Sequence, residues 1–215
     1  MVLVRWGYTD RLQFRFIIWN LILAWIPLCC ALLASRARGR LALLALASTW
    51  LLFFPNAPYV LTDLIHLRGD AARSASDGVL VFGVLPLYGL FVALGMTSYV
   101  FCMELIVREV RTTRPDTARW AVELPVHALC SLGIVLGRIS RLNSWDTITH
   151  PRGTVETVFT TLTWRGAPFA FAAIFVAVFA AYTVMRALLV ALLRWGGRWG
   201  ERFGLVPTDT PAAPA

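Results

Sequence analysis

Two short stretches of this chain carry polar and ring-constrained residues at spacings that could do chemistry. The first reads Phe53-Phe54-Pro55-Asn56-Ala57-Pro58-Tyr59-Val60-Leu61-Thr62-Asp63-Leu64-Ile65-His66. Pro55 and Pro58 each lack an amide donor and crowd the turn before them, so they interrupt a helix and free carbonyls. Such backbone persists at membrane depth only where protein or a wet cavity satisfies it, and broken helices line many transport sites. The plainer alternative is a helix ending at an interface, with Tyr59 in the aromatic belt. Asp63 and His66 are three apart and would share a helix face. A carboxylate there can orient an imidazole, which suits a base, a proton relay or half of a metal site. A surface pair capping a loop helix has the same spacing.

The second stretch reads Gly137-Arg138-Ile139-Ser140-Arg141-Leu142-Asn143-Ser144-Trp145-Asp146. Arg138 closes an apolar run, where a charge must reach water or find a partner. Arg138 and Arg141 are one helical turn apart, a spacing for an anion clamp. Asn143, Ser144 and Asp146 are residues that cap a following turn. A third polar set lies inside apolar runs: Glu104, and the pair Glu123 and His127 four residues apart. Ionisable groups within a span are functional candidates, here for proton handling. The structural reading is a polar clasp between helices, or Glu104 paired with Arg108 across one turn.

The elements that must position these residues are transmembrane helices. The 215 residues are 58% hydrophobic, with a mean hydropathy of +0.67. A soluble domain is about 45–50% apolar, and here the excess falls into long runs separated by short arginine-containing breaks. The spacing predicts an all-α bundle of about five spans, near 14–34, 41–61, 79–107, 121–139 and 168–193. Polar loops are expected at 62–78 and 108–120, and a long loop at 140–167. Only about 14 residues separate Leu41 from Pro55, against about 20 needed to cross, so the second span must continue through the prolines. Residues 1–13 read as a juxtamembrane segment and 14–195 as the transmembrane domain. Residues 196–215 read as an Arg/Trp interfacial segment with a Pro/Ala tail.

The net charge is +8 and all of it is arginine, with no lysine. These arginines bracket apolar runs, where they meet lipid phosphates and set topology, so the expected partner is the bilayer and not nucleic acid. The densest clusters are the turn at 35–40, the turn at 108–120 and the C-terminal arginines. Placing all three in the cytoplasm puts the N-terminus outside and the C-terminus inside, although Arg5, Arg11 and Arg15 oppose this. The first apolar run is longer than a signal-peptide core, which favours a retained span. The four cysteines sit in apolar runs without a CxxC pair, against disulfides and structural zinc. Gly133 and Gly137 allow close helix contact, more in keeping with packing inside the chain than with dimerisation. No nucleotide-binding, hydrolase or metalloprotease motif is present, and no cofactor is indicated.

Together the two stretches resemble the bacterial integral membrane family known as domain of unknown function 1361. Its pattern is a Pro-Asn-Ala-Pro-Tyr run leading to Thr-Asp and a His, then Gly-Arg, Arg and Asn-Ser-Trp-Asp. These fall here on Pro55 through His66 and on Gly137 through Asp146. The resemblance implies a polytopic membrane protein whose polar residues matter, and brings no established activity. Two crossings separate the loops after spans 2 and 4, so the two stretches lie on one face. Asp63 could then pair with Arg138 or Arg141. A metal set of His66, His150, Asp63 and Asp146 is conceivable but has no tight ligand spacing, and no metal site is expected. Three functions stay open: transport of a small solute or ion, which with five spans would call for an oligomer; a membrane enzyme acting on a lipid-linked or anionic substrate, with Asp63 or His66 as acid/base; and a non-catalytic scaffold.

Overall fold

The structure, a computed structural model, describes residues 2–74, 76–142 and 144–196. Asn143, the Pro/Ala tail and all but the first residue of the C-terminal interfacial segment lie outside the described residues. Among the described residues every regular element is helical. In chain order these are α1 (Val2–Ala34), α2 (Arg40–Phe53), α3 (Asn56–Tyr59), a 3-10 turn (Thr62–Leu64), α4 (Ile65–Arg73), α5 (Asp77–Val79), a π turn (Leu80–Val84), α6 (Leu85–Thr113), α7 (Arg119–Ile139), α8 (Asp146–Thr149), α9 (Pro151–Thr163) and α10 (Ala167–Gly196).

Five helical stretches are long and apolar enough to cross a membrane: Ile17–Ala34, Arg40–Ala72, Asp77–Thr113, Arg119–Ile139 and Ala167–Trp195. Their outer surfaces are apolar, as Leu41, Phe82 and Phe169 illustrate at 82%, 84% and 79% exposure. Water would not tolerate so continuous an apolar coat, whereas lipid does. The chain thus has the build of a multi-pass membrane protein. Its interior sits on α6, which packs against α1, α3, α7 and α10. Phe54, Tyr99, Met96, Val60 and Ile134 are fully buried there.

All three expected loops are largely helical, and the one at 108–120 shrinks to 114–118, because α6 runs on to Thr113 and α7 starts at Arg119. Residues 62–78 do not leave the bundle as a loop after Pro58. The backbone stays in the right-handed helical region through Phe54, Pro55, Val60, Leu61, Leu64 and Ile65, and α4 follows. The prolines change the bonding and not the direction, because their fixed φ suits a helix and only their missing donors disturb it. The long stretch 140–167 holds α8 and α9. Its polar composition hides the helix: the hydroxyls of Thr154, Thr157, Thr160, Thr161 and Thr163 bond back to carbonyls three or four residues earlier. Trp145 stands at the start of α8, and no side chain caps that helix, contrary to the capping expected of Ser144 and Asp146.

Pro27 in α1 also lies inside a membrane span, where it deprives the preceding turn of a donor. In that turn the Ser98 hydroxyl of α6 donates to the Ala24 carbonyl at 2.8 Å, fastening α1 to the central helix.

Candidate functional site

The Pro-Asn-Ala-Pro segment sits in a slot cut by glycines of two other helices. A Cβ on Gly133 of α7 would lie 2.6 Å from Pro55 Cγ, and one on Gly95 of α6 would lie 2.7 Å from both methyls of Val60. Gly137 faces the Tyr59 ring, with 3.2 Å from its Cβ position to Cε2. The small-residue face of α7 is therefore used within the chain, as its spacing suggested.

Shifted backbone amides and side chains together meet carbonyls of the interrupted segment. Pro58 cannot donate to Phe54, whose carbonyl takes the Ala57 amide instead at 3.2 Å. The Phe53 carbonyl is then met by the Asn56 side-chain amide at 2.9 Å. The Thr62 hydroxyl donates to the Tyr59 carbonyl at 2.7 Å, and the Arg138 guanidinium donates to the Thr62 carbonyl. Protein, and not a wet cavity, meets these groups of the interrupted helix.

Arg138 also reaches Asp63, at 3.1 Å from Oδ1, and lies over the Tyr59 ring with Cζ 5.1 Å from the centroid. Asn20 of α1 donates to the other carboxylate oxygen, Oδ2, at 2.8 Å. Asp63 is fully buried with both oxygens engaged, and Arg138 is 28% exposed. Asn56 additionally donates to the Ser144 hydroxyl at 3.1 Å, and Trp145 meets Trp19 edge to face at 6.5 Å. The two sequence stretches thus come together at one end of the bundle, joined through Asp63–Arg138 and Asn56–Ser144.

Other members of the expected cluster are less buried than Asp63. Arg141 is exposed and has φ 55°, in the left-handed region. The amides of Ser140 and Leu142 both return to the Leu136 carbonyl, so Arg141 occupies the position that usually favours glycine where a helix is capped. Among the described residues it is Arg138 that pairs with Asp63, while Arg141 lies in the left-handed turn that ends α7. His66 is exposed on α4, Asp146 is half-buried at the start of α8, and His150 is exposed beside Thr149. Among the described residues no three His, Cys, Asp or Glu side chains converge as metal ligands.

A second buried network lies toward the opposite end. Glu104 of α6 is 5% exposed and accepts from two arginines: Arg119 at the start of α7, and Arg186 Nε of α10 at 2.7 Å. Arg119 Nε donates to Glu123 Oε1 at 2.6 Å, and its NH2 group donates to the Tyr182 hydroxyl at 2.9 Å. Tyr182 in turn donates to Glu123. Glu104 pairs with neighbours brought by the fold, not with Arg108 one turn away.

The Tyr182 ring stands 4.7 Å from the His127 ring, centroid to centroid, and Phe175 and Phe179 complete an aromatic surround. His127 Nδ1 shares a 2.8 Å hydrogen bond with the Tyr99 hydroxyl. Its other nitrogen, Nε2, is buried without a partner among the described residues. The spacing of Glu123 and His127 pointed to this region, but Tyr99, Tyr182, Arg186 and Asn20 went unnoticed. Asn20 and Arg186 had one available signal, a lone polar residue within an apolar run.

The network opens onto a cleft of about 380 Å³ where α6 turns into α7, lined by Glu104, Arg108, Arg111, Thr112, Pro115 and Arg119 together with Val107.

The model of the family "Protein of unknown function (DUF1361)" matches residues 19–181. No curated protein and no solved structure matches the chain. The match covers most of the chain and both polar stretches, and the protein belongs to that family.

Proposed function

Starting from that membership, we propose that the protein moves a small solute or ion across a bacterial cytoplasmic membrane, with protons relayed through the Glu104–Glu123–His127 network. The observation that carries this reading is the unpartnered His127 Nε2. A buried polar atom without a partner costs free energy, so its persistence inside a span suits a group that exchanges a proton in use. His127 lies eight residues past the start of α7, about 12 Å along the helix. Tyr182 and Glu123 stand between it and the arginine-lined cleft. Beyond His127, Phe54, Met96 and Ile134 form a buried apolar layer toward the Asp63–Arg138 end. Two polar ends with a dry middle suit a gated path.

In this reading the bilayer is the immediate partner, and five spans favour a homo-oligomer. The arginine-rich stretches at 35–40 and 108–120 face the cytoplasm in this reading, with the C-terminus inside and the N-terminus outside. The test is reconstitution into liposomes carrying an internal pH indicator, with small anions offered from outside under an imposed pH gradient. Solute-dependent acidification that His127→Phe and Glu104→Gln abolish is the expected result. Rates unaffected in both folded variants would overturn the proposal.

A scaffold reading has its own support, since Asp63 ties α1, the interrupted helix and α7 with every oxygen occupied. It predicts that variants of either cluster lose folding and activity together. The enzyme reading loses Asp63 as its acid/base, since that role needs access and Asp63 is fully buried, and rests on the exposed His66.

A further inference from the structure

From Arg108 to Arg119, across the end of α6, the turn and the start of α7, four arginines stand against two carboxylates, Glu109 and Asp116. Arg119 and Arg186 take Glu104, and Arg119 also takes Glu123. Arg108 and Arg111 have no ion pair among the described residues. They are exposed, three residues apart on α6, and so on one helix face. Glu104 lies one turn below Arg108 on that face, so the floor of the cleft is a buried carboxylate already engaged by two guanidinium groups.

We propose that this cleft binds a phosphate-type oxyanion through Arg108 and Arg111, with Arg119 behind them as a third cationic arm. Guanidinium groups present paired donors that match phosphate oxygens, and Arg119 is pre-oriented by its bonds to Glu104, Glu123 and Tyr182. A volume of about 380 Å³ is in the range of small-ligand sites and exceeds the need of a bare ion. The arginines of the turn at 35–40 provide the contrast. They lie on the same side of the membrane, two crossings away, but none of them lines this cleft. The phosphate could belong to a soluble solute or to a lipid headgroup, since both present the same oxygens.

The inference rests on the transport reading for its purpose and names what the same cluster receives. Its test reads binding and not flux, so either proposal can fail alone. Full-length protein is placed in nanodiscs of purely zwitterionic lipid and titrated calorimetrically with inorganic phosphate and pyrophosphate. A parallel arm measures retention of phosphatidylglycerol by native mass spectrometry. Arg108→Gln/Arg111→Gln is expected to weaken oxyanion binding by about tenfold or more, since charge-assisted bonds are lost. Arg108→Lys/Arg111→Lys should fall between, keeping charge but losing the paired donors. Arg36→Gln/Arg38→Gln removes equal charge from the other turn and should leave binding unchanged.

Saturable binding of inorganic phosphate that follows this order assigns the cleft to a soluble oxyanion. Retention of phosphatidylglycerol alone, following the same order, assigns it to a lipid headgroup and sustains the site. Equal loss in both glutamine pairs would overturn the proposal, as would a folded Arg108→Gln/Arg111→Gln protein that binds like the wild type.

Discussion

Arg138 and Arg119 stand at opposite ends of α7, and each meets a buried carboxylate from another helix. Around Arg138, Asp63 has one oxygen on the guanidinium and the other on Asn20, while the remaining guanidinium bonds go to the Thr62 carbonyl and the Tyr59 hydroxyl of the interrupted helix. Around Arg119, Glu104 and Glu123 share that arginine, Arg186 adds to Glu104 and Tyr182 to Glu123, a histidine nitrogen unpartnered among the described residues lies one ring away, and a cleft opens beside them. A closed set of bonds holds helices together, because breaking any one strands a buried group. A set with an orphan atom and access to solvent can change protonation without unfolding. The same residue types thus do different work according to whether the fold completes their bonding.

The largest stability effect is expected from Asp63→Asn, which leaves Arg138 facing an uncharged amide. Removing one partner of a buried pair costs about 3–5 kcal/mol, and the 28% exposure of Arg138 places this case near the lower figure. Thermal unfolding in detergent measures it, and a wild-type melting profile would erase the contrast between the two ends. Gly133→Val comes next. Its Cβ alone would lie 2.6 Å from Pro55 Cγ, and overpacking of this kind costs about 1–3 kcal/mol. The readout is again thermal unfolding, with Gly89→Val as the control, since nothing lies within 4 Å of that Cβ position.

Asn56→Ala should cost about 1 kcal/mol, the scale of one interhelical side-chain bond in a membrane protein. Its specific sign is faster hydrogen exchange at 144–150, because the bond to Ser144 holds that segment. The smallest stability change is expected from His127→Phe. It removes the orphan Nε2 and takes the imidazole from the Tyr99 hydroxyl, which keeps Cys130 as a neighbour, so the net change stays within about 1 kcal/mol. Solute-dependent proton movement in liposomes should nevertheless disappear. If His127→Phe unfolds as readily as Asp63→Asn, both ends are structural and the distinction between them falls.

Much of the bundle was legible because a bilayer imposes length and polarity on any segment crossing it. The spans at 121–139 and 168–193 match α7 and α10 closely for this reason. The stretches at 62–78 and 140–167 were misread because hydropathy reports the solvent and not the backbone. Ile65–Arg73 and Pro151–Thr163 are helical yet polar, so they looked like loops. The meeting of the two motif stretches was legible from counting crossings. The choice of Arg138 over Arg141 was not, because it depends on the left-handed turn at Arg141, which carries that side chain away.

The sequence by itself determined the class of solvent, the number of crossings and which polar stretches share a membrane face. Each follows from composition and chain length, which are properties of single segments. Only the tertiary structure decided who partners whom. Asn20, Tyr99, Tyr182 and Arg186 come from helices remote in sequence, and no spacing rule links them to Asp63, His127 or Glu104. Whether a buried charge is closed off or left open depends on those partners, because the free energy of a buried polar group is set by its bonds and not by its identity.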